Sequence, residues 1–324
     1  MKRISLSLVI GSIIAGSAMP VAAEVELQTF ATGTPARAAD VNQNFTNVKS
    51  AVELAERRLA SLLERMEDLE ASLEKLMTLS DAMSIQPVNG VQTVTLSGVN
   101  FQVINGRGLT ESVNGAGNII IGYDEANRLT DQSYCSLGHN DAGTLLEDGT
   151  ACIAAGGVFG PVHKSGSHNL IVGSQNNYSS AGAIVAGKHS TSNARYASVL
   201  GGVRNRASNF LATVVGGQEN LALGNSSTVA GGNFNTTRGQ HATVSGGMRG
   251  VADGASSTIA GGSQNVASGT ASSISGGTEN AATGIFAVVV GGVRNNAQAN
   301  TSTILGGQSR TLNDNTGTIP AIAP

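Results

Sequence analysis

Hydrophobic and polar side chains follow two different periods along this chain of 324 residues. Between residues 39 and 85, apolar side chains recur alternately three and four positions apart. An average spacing of 3.5 residues keeps one apolar seam turned towards a partner helix, so the pattern predicts a coiled-coil stalk about 65–70 Å long. The predicted core of the stalk consists of Phe45, Val48, Val52, Leu59, Leu62, Met66, Leu69, Leu73 and Leu76.

The width of the seam predicts the number of chains. The core lacks the alternation of β-branched residues with Leu that favours two-stranded coiled coils, and Leu63, Met77 and Leu79 widen the apolar face. Arg65 and Glu70 have the spacing of ion pairs between parallel helices in register. We therefore expect three parallel chains.

The second period is a longer repeat that fills the C-terminal half of the chain. Gly-Gly pairs begin at residues 201, 216, 231, 246, 261, 276, 291 and 306 without slippage. We number the first Gly of each pair as place one, so that each repeat ends at place fifteen. Place five is then mostly Asn, place seven is mostly Ala, and place fourteen is Val or Ile. A repeat this strict predicts a solenoid.

Each repeat is predicted to be one coil of two short strands joined by tight turns, because Gly and Asn every few residues would break a helix. Alternation along the strands points the Val or Ile, the first Gly and the Ala inward. The Asn side chains are expected to stack as a ladder along one turn. Weaker copies of the pattern at residues 118–122 and 169–173 extend the predicted all-β solenoid over residues 116–319.

The composition agrees with a thin coil that has little room for large side chains. Gly accounts for 43 residues, Trp is absent, and aromatic residues make up 3% of the chain. Charged residues make up 13%, and a formal net charge of -3 gives no general attraction to nucleic acid. We expect a folded protein with no nucleic-acid partner.

The first 23 residues predict export. Lys2 and Arg3 precede an apolar run that ends in small residues before Glu24, which is the pattern of a secretory signal peptide. No later segment has the ~20 apolar residues of a transmembrane helix. We expect a secreted or cell-surface protein, with the periplasm as the alternative location.

Cys135 and Cys152 are the only cysteines of the chain. In an oxidising compartment we expect them to form a disulfide that closes an insertion near residues 123–155. The other predicted segments are an N-terminal segment at 24–38, a β connector at 86–115 and a tail at 320–324.

Two stretches of the repeats carry a family resemblance. Ser-Ser-Thr-Val-Ala-Gly-Gly at residues 226–232 and Asn-Val-Ala-Ser-Gly at residues 265–269 resemble the head repeats of YadA-like trimeric autotransporter adhesins, and the similarity covers residues 169–310. The resemblance implies a left-handed parallel β-roll with three chains side by side, attached to a trimeric coiled coil. Here Gly, as at Gly231, replaces the Ile of the family unit, and the stalk precedes the head. We expect no C-terminal anchor barrel, because alternating amphipathic strands of ~10 residues are not predicted there.

No arrangement of side chains predicts catalysis or a bound cofactor. The histidines lack the spacing of a metal-binding helix face, and the turns hold Asn rather than the repeated Asp of calcium-binding solenoids. Hexapeptide-repeat acyltransferases are the strongest enzymatic alternative. However, fifteen is not a multiple of six, and His241, within the regular repeats, has no neighbouring carboxylate. We predict no enzymatic activity, catalytic residue, metal or cofactor. The five histidines are His139, His163, His168, His189 and His241.

The expected function is adhesion or surface structure by a homotrimer whose stalk presents the β-roll to a host, matrix or cell-surface ligand. Two alternatives remain open. One is a structural filament or spike component that binds another protein. The other is a solenoid that binds an ordered surface, such as ice or a polysaccharide, through a column of outward-facing Thr at place thirteen. That column contains Thr213, Thr228, Thr243, Thr258 and Thr303.

Overall fold

The computed structural model describes residues 27–30, 32–33, 35–126, 133–140, 144, 146–314 and 317–319. The predicted signal peptide at 1–23 and the predicted tail at 320–324 lie outside these residues, as do parts of the predicted N-terminal segment. The chain divides into two compact units, the first ending at Phe101 and the second beginning at Gln102.

The N-terminal unit contains one long helix and one hairpin. Helix α1 spans Ala38–Ala82, and its 45 residues extend over about 68 Å at ~1.5 Å per residue. Strands β1 (Met83–Val88) and β2 (Val91–Leu96) follow as an antiparallel pair. The turn between them is Asn89-Gly90, and both residues have positive φ, as tight two-residue hairpin turns require.

Helix α1 ends at Ala82, shortly before the predicted boundary at residue 85. Met83 has extended backbone angles (φ -124°, ψ 128°), and its N–H closes the last helical turn on the carbonyl of Leu79. The strand that starts at Met83 pairs along its whole length with β2. The β structure expected from residue 86 therefore begins at Met83.

The C-terminal unit is a parallel β-solenoid whose regular coils have the length of the repeat. Thr213 pairs with Thr228 in the next coil, and Leu221 pairs with Thr236 in the same way. Each regular coil contributes one short strand to each of two sheets. The twelve-strand sheet contains β3 (Ile119–Ile121), β6 (Leu170–Ser174), β8 (Ile184–Lys188), β10 (Ser198–Val199), β12 (Thr213–Val214), β14 (Thr228–Val229), β16 (Thr243–Val244), β18 (Thr258–Ile259), β20 (Ser273–Ile274), β22 (Val288–Val289), β24 (Thr303–Ile304) and β26 (Thr318–Ile319). The ten-strand sheet contains β7 (Asn177–Tyr178), β9 (Thr191–Ser192), β11 (Arg206–Ala207), β13 (Leu221–Ala222), β15 (Thr236–Thr237), β17 (Val251–Ala252), β19 (Val266–Ala267), β21 (Ala281–Ala282), β23 (Asn296–Ala297) and β25 (Thr311–Leu312).

An insertion between β3 and β6 carries three further elements. Strands β4 (Tyr134–Cys135) and β5 (Phe159–Gly160) form an antiparallel pair. Between them lies the short helix α2 (Gly149–Ala154), whose N-terminus is capped by Asp148. The insertion is thus a small folded subdomain within the solenoid unit.

The solenoid core is a stack of small side chains. Val214 at place fourteen and Ala222 at place seven are fully buried, as predicted, and the same places are buried in the neighbouring coils. Ser227 at place twelve and Asn220 at place five are buried as well, which alternation alone does not predict. The buried hydrophobic cluster of the regular coils consists of Ala, Val and Ile, whereas a core aromatic ring, Tyr178, is found in the earlier coils.

The predicted inward position of the first Gly is wrong. A Cβ built on Gly231 would meet no atom within 4 Å, so this place faces open space. The reason is visible in the register, because Val185 pairs with Val199, whereas Val199 pairs with Val214, so the later coil is one position longer. The first Gly is the added residue, and it interrupts the alternation on which the prediction relied.

The predicted Asn ladder is present at place five. The Nδ2 of Asn220 donates to the carbonyls of Gly216 at 2.9 Å and Gly232 at 2.8 Å. Its Oδ1 accepts the N–H of Asn235 at 3.0 Å. The side chain therefore joins its own coil to the next one through three hydrogen bonds. The ladder is interrupted only at Gly250 between residues 205 and 295, a fully described stretch.

Two non-Gly residues in each regular coil have left-handed backbone angles and form its corners. They lie at places four and eleven, as in Glu219 (φ 54°) and Ser226 (φ 53°). The N–H of Glu219 bonds back to Val203 at 3.0 Å, and that of Ser226 bonds back to Phe210 at 2.8 Å. Each corner residue is thus tied to the preceding coil.

Candidate interaction surfaces

Within the part of the chain that the structure describes, the apolar seam of α1 is not covered. The helix contains no buried residue, and the nine predicted core side chains are between 41% and 71% exposed. Near its start, the backbone of Gln28 exchanges two hydrogen bonds with the side chain of Asn44, at 2.7 and 2.8 Å. An exposed stripe of this length is far larger than a soluble monomer usually tolerates.

The five predicted ladder threonines lie in one column of the twelve-strand sheet. Thr213, Thr228, Thr243 and Thr258 occupy consecutive coils and pair in register. Their side chains are half-buried. Thr303 is separated from them by two coils that carry Ser and Val at this place. The run of threonines is therefore four coils long, and Ser198 and Ser273 extend the row of hydroxyls to six coils before Val288 interrupts it.

In the regular coils, charge is confined to one side of the solenoid. We call places thirteen, fifteen, one and three the uncharged face, because no residue from 198 to 308 carries a charge at any of them. All charged side chains between residues 201 and 314 lie at places four to nine. Place fifteen of the uncharged face carries exposed apolar side chains in several coils, such as Leu200, Val215, Val290 and Leu305.

The charged side is organised by ion pairs between successive coils. Arg204 lies 3.3 Å from Glu219, and Arg238 lies 3.2 Å from Asp253. The first pair is half-buried and the second is largely exposed. An exposed pair contributes at most about 1 kcal/mol.

The two glycines of each pair differ in what they require. A Cβ on Gly232 would lie 2.1 Å from the carbonyl oxygen of Gly247, and its φ of +83° is left-handed, so only Gly fits there. Gly231 has neither constraint within this chain. Its place is nevertheless Gly in all eight pairs, on the uncharged face.

The predicted disulfide between Cys135 and Cys152 is present, with a Cα–Cα distance of 5.5 Å, and both residues are buried. It closes the insertion, which docks on the side of the coils at places six to eight. Arg206 pairs with Glu147 at 2.9 Å and lies over the Tyr134 ring at 5.1 Å. The insertion is therefore held together by its disulfide and its own core, and polar contacts such as that of Arg206 with Glu147 fix it to the solenoid.

A cleft of about 1240 Å³ lies between the insertion and the coils. One wall comes from the insertion and includes Leu137 and His139. The other comes from places eight to ten of successive coils and includes Asn193 and Phe210. The repeat pattern does not single out these residues, since the contact of His139 with Asn209 joins positions that are 70 residues apart in the chain.

The histidines either contact other groups of the chain or lie at the surface. Burial lowers the pKa of His139, which lies 3.0 Å from Asn209, and burial also lowers the pKa of His189. His163 contacts the Tyr134 carbonyl at 2.8 Å. His241, at place eleven, is exposed.

Among the described residues, no three metal-ligating side chains converge. His168 contacts the carbonyl of Thr110 at 2.8 Å.

In the part of the chain that the structure describes, no helix combines the length and apolarity needed to cross a bilayer. No protein-family model matches the chain. No curated protein sequence is significantly similar to it.

Proposed function

We propose that this chain is an exported, non-enzymatic homotrimer of the YadA-like adhesin type. In this proposal α1 forms a parallel three-stranded coiled-coil stalk, and three left-handed solenoids present a repeated surface for adhesion or surface structure. Its partners are two further copies of the chain and a ligand on a host, matrix or cell surface.

The exposed seam of α1 carries the proposal. Nine apolar side chains on one stripe of this 45-residue helix contact water in the single chain. Burying them against other helices at their heptad spacing would remove this cost. The charged residues Glu64 and Glu67, away from the seam, would remain in water.

The uncharged face of the solenoid supports packing between heads. It extends over eight coils, or about 38 Å at ~4.8 Å per coil. Absence of charge lowers the cost of desolvating it, and the column of first glycines would let the backbone of another chain approach closely. Open space at Gly231 within one chain is the observation that this packing would explain.

Repetition would supply the binding strength of an adhesin. Three solenoids held in parallel would repeat the surface of a single coil many times, because successive coils have nearly the same sequence. Many weak contacts made together raise the overall affinity without any single strong pocket. This form of binding agrees with the regular, nearly identical coils from residue 201 onward.

Light-scattering mass of the chain from Glu24 tests the trimer. Leu62→Lys with Leu69→Lys places two charges in the seam, whereas Glu64→Lys with Ala71→Lys places them on the opposite side of α1. We expect three chain masses for the unmodified protein and for the second variant, and dissociation for the first.

A monomeric or dimeric unmodified protein would overturn the trimer. Equal masses for the two variants would show that the seam does not hold the chains together. Surface-binding assays on the trimer and on the dissociated variant then test avidity, because an adhesin of this type should lose most of its binding on dissociation.

A further inference from the structure

We propose that the cleft beside the disulfide-closed insertion binds a neutral oligosaccharide. The cleft lies within one chain, so this inference does not depend on the number of chains or on the proposed trimer. It rests on the shape of the cleft, the ion pair that occupies Arg195 in its wall, and the kinds of groups that line it.

The shape suits an elongated ligand. The coil wall crosses four successive coils, and a coil spacing of ~4.8 Å makes it about 14 Å long. Side chains from places eight to ten of each coil line this wall at regular intervals. They are Ser165, Ser179, Ser180, Asn193, Ala194, Arg195, Asn209 and Phe210.

The basic group in the coil wall already has a counter-charge, because Arg195 pairs with Glu111 at 3.0 Å. On the other wall, Asp148 accepts the N–H of Ala151 at 2.8 Å as the cap of α2. An anionic ligand would therefore have to displace Glu111 from Arg195. A neutral, polar ligand fits the remaining hydroxyl and amide groups.

The backbone of the coil wall is paired, which disfavours an added peptide strand. The N–H of Ser179 donates to Ser192 at 3.2 Å, and the N–H of Asn193 donates to Ala207 at 3.3 Å. A peptide that extended a sheet would need free N–H and C=O groups. Recognition at this wall must instead use side chains, as the many hydroxyls of a sugar allow.

Two side chains give the cleft a polar and an apolar anchor. Asn193 is only 3% exposed at the wall, its Nδ2 donates to the carbonyl of Cys135 at 2.7 Å, and its Oδ1 has no partner among the described residues. Phe210 is 43% exposed, and its ring is steadied by an edge contact with Tyr196 at 6.0 Å. An amide and an exposed ring in the same cleft suit a sugar, which has polar edges and apolar C–H faces.

The test is calorimetric titration of the full chain from Glu24 with cellotetraose, maltotetraose, chitotetraose and mannotetraose. We expect saturable binding of at least one of them. Phe210→Ala should weaken that binding at least tenfold, whereas Phe286→Ala, which removes an exposed ring outside the cleft, should not change it.

A second pair of variants blocks the cleft without removing a contact. Ala154 lines the cleft from α2, and the adjacent Ile153 does not, although both are exposed. Ala154→Arg should abolish binding, and Ile153→Arg should leave it unchanged. The proposal is overturned if no tetrasaccharide binds, if both members of either pair behave alike, or if neutral peptides bind in competition with the sugar.

Discussion

Replacing Gly250 by Asn should stabilise the solenoid, because it would fill the gap in the Asn ladder. Gly250 occupies place five, and its N–H already donates to the Oδ1 of Asn235 at 2.8 Å. Its backbone is not in the left-handed region, so a side chain is compatible with it. By analogy with Asn220, the new Nδ2 would reach the carbonyls of Gly246 and Gly262, and the new Oδ1 would accept the N–H of the next coil.

The magnitude follows from these contacts. Three hydrogen bonds contribute ~0.5–1.5 kcal/mol each, and replacing Gly at a compatible backbone position contributes about 0.4–1 kcal/mol. Ordering the new side chain costs ~1 kcal/mol. We expect the free energy of unfolding to rise by about 2 kcal/mol, which corresponds to a Tm increase of roughly 4–8 °C for a unit of this size.

Thermal and urea unfolding followed by circular dichroism measure the effect, with Gly250→Ala as the matched control. A Cβ at this place lies 3.1 Å from the Oδ1 of Asn235 in both variants, so their difference isolates the amide. The Asn variant should be more stable than the Ala variant. Equal stability of the two would refute the reasoning that the ladder bonds hold successive coils together.

Three further predictions concern the glycine pairs, the histidines and the disulfide. Gly232→Ala should lower the free energy of unfolding by about 2–5 kcal/mol through left-handed strain and overpacking, whereas Gly231→Ala should leave the fold of the coil intact; urea midpoints compare them, and equal losses would contradict the geometry. Because burial lowers the pKa values of His139 and His189 below 6.5, the unfolded chain binds more protons as pH falls below about 6.5. Stability should fall in that range, and replacing both by Gln should reduce the slope in pH-dependent melts. Cys152→Ser should destabilise the insertion by roughly 3 kcal/mol, detectable as faster proteolysis there than in the coils.

Much of the fold follows from periodicity in the sequence. The strict repeat gives the parallel solenoid, and alternation places Val214 and Ala222 in the core because neighbours on a strand face opposite sides. The same rule fails at Gly231, since one added residue per coil changes which side each neighbour faces. The prediction rests on the eight 15-residue repeats, and all of them contain the added Gly. Only comparison with the shorter coils before Val199 reveals that this residue has been added.

The cleft could not be predicted, because it depends on contacts between distant positions without a common period. Asn193 meets the carbonyl of Cys135, and Arg206 meets Glu147, although each pair is far apart in the chain. Nothing in the spacing of these residues indicates where an insertion will dock. The seam of α1 differs, because every side chain that forms it is related by the local geometry of one helix.

The strict nearest-neighbour pairing of the coils means that the length of the solenoid is set by the number of its coils. Each strand bonds only to the strands of the coils before and after it. Loss or duplication of one whole coil would rejoin surfaces of the same pattern and change the reach of the molecule by ~4.8 Å. A coil that lacks the first Gly also keeps this column in the core, since Val185 and Val199 pair over the shorter distance and are both buried. Evolution can therefore adjust the length of the solenoid in whole coils, while helix α1 and the insertion remain as they are.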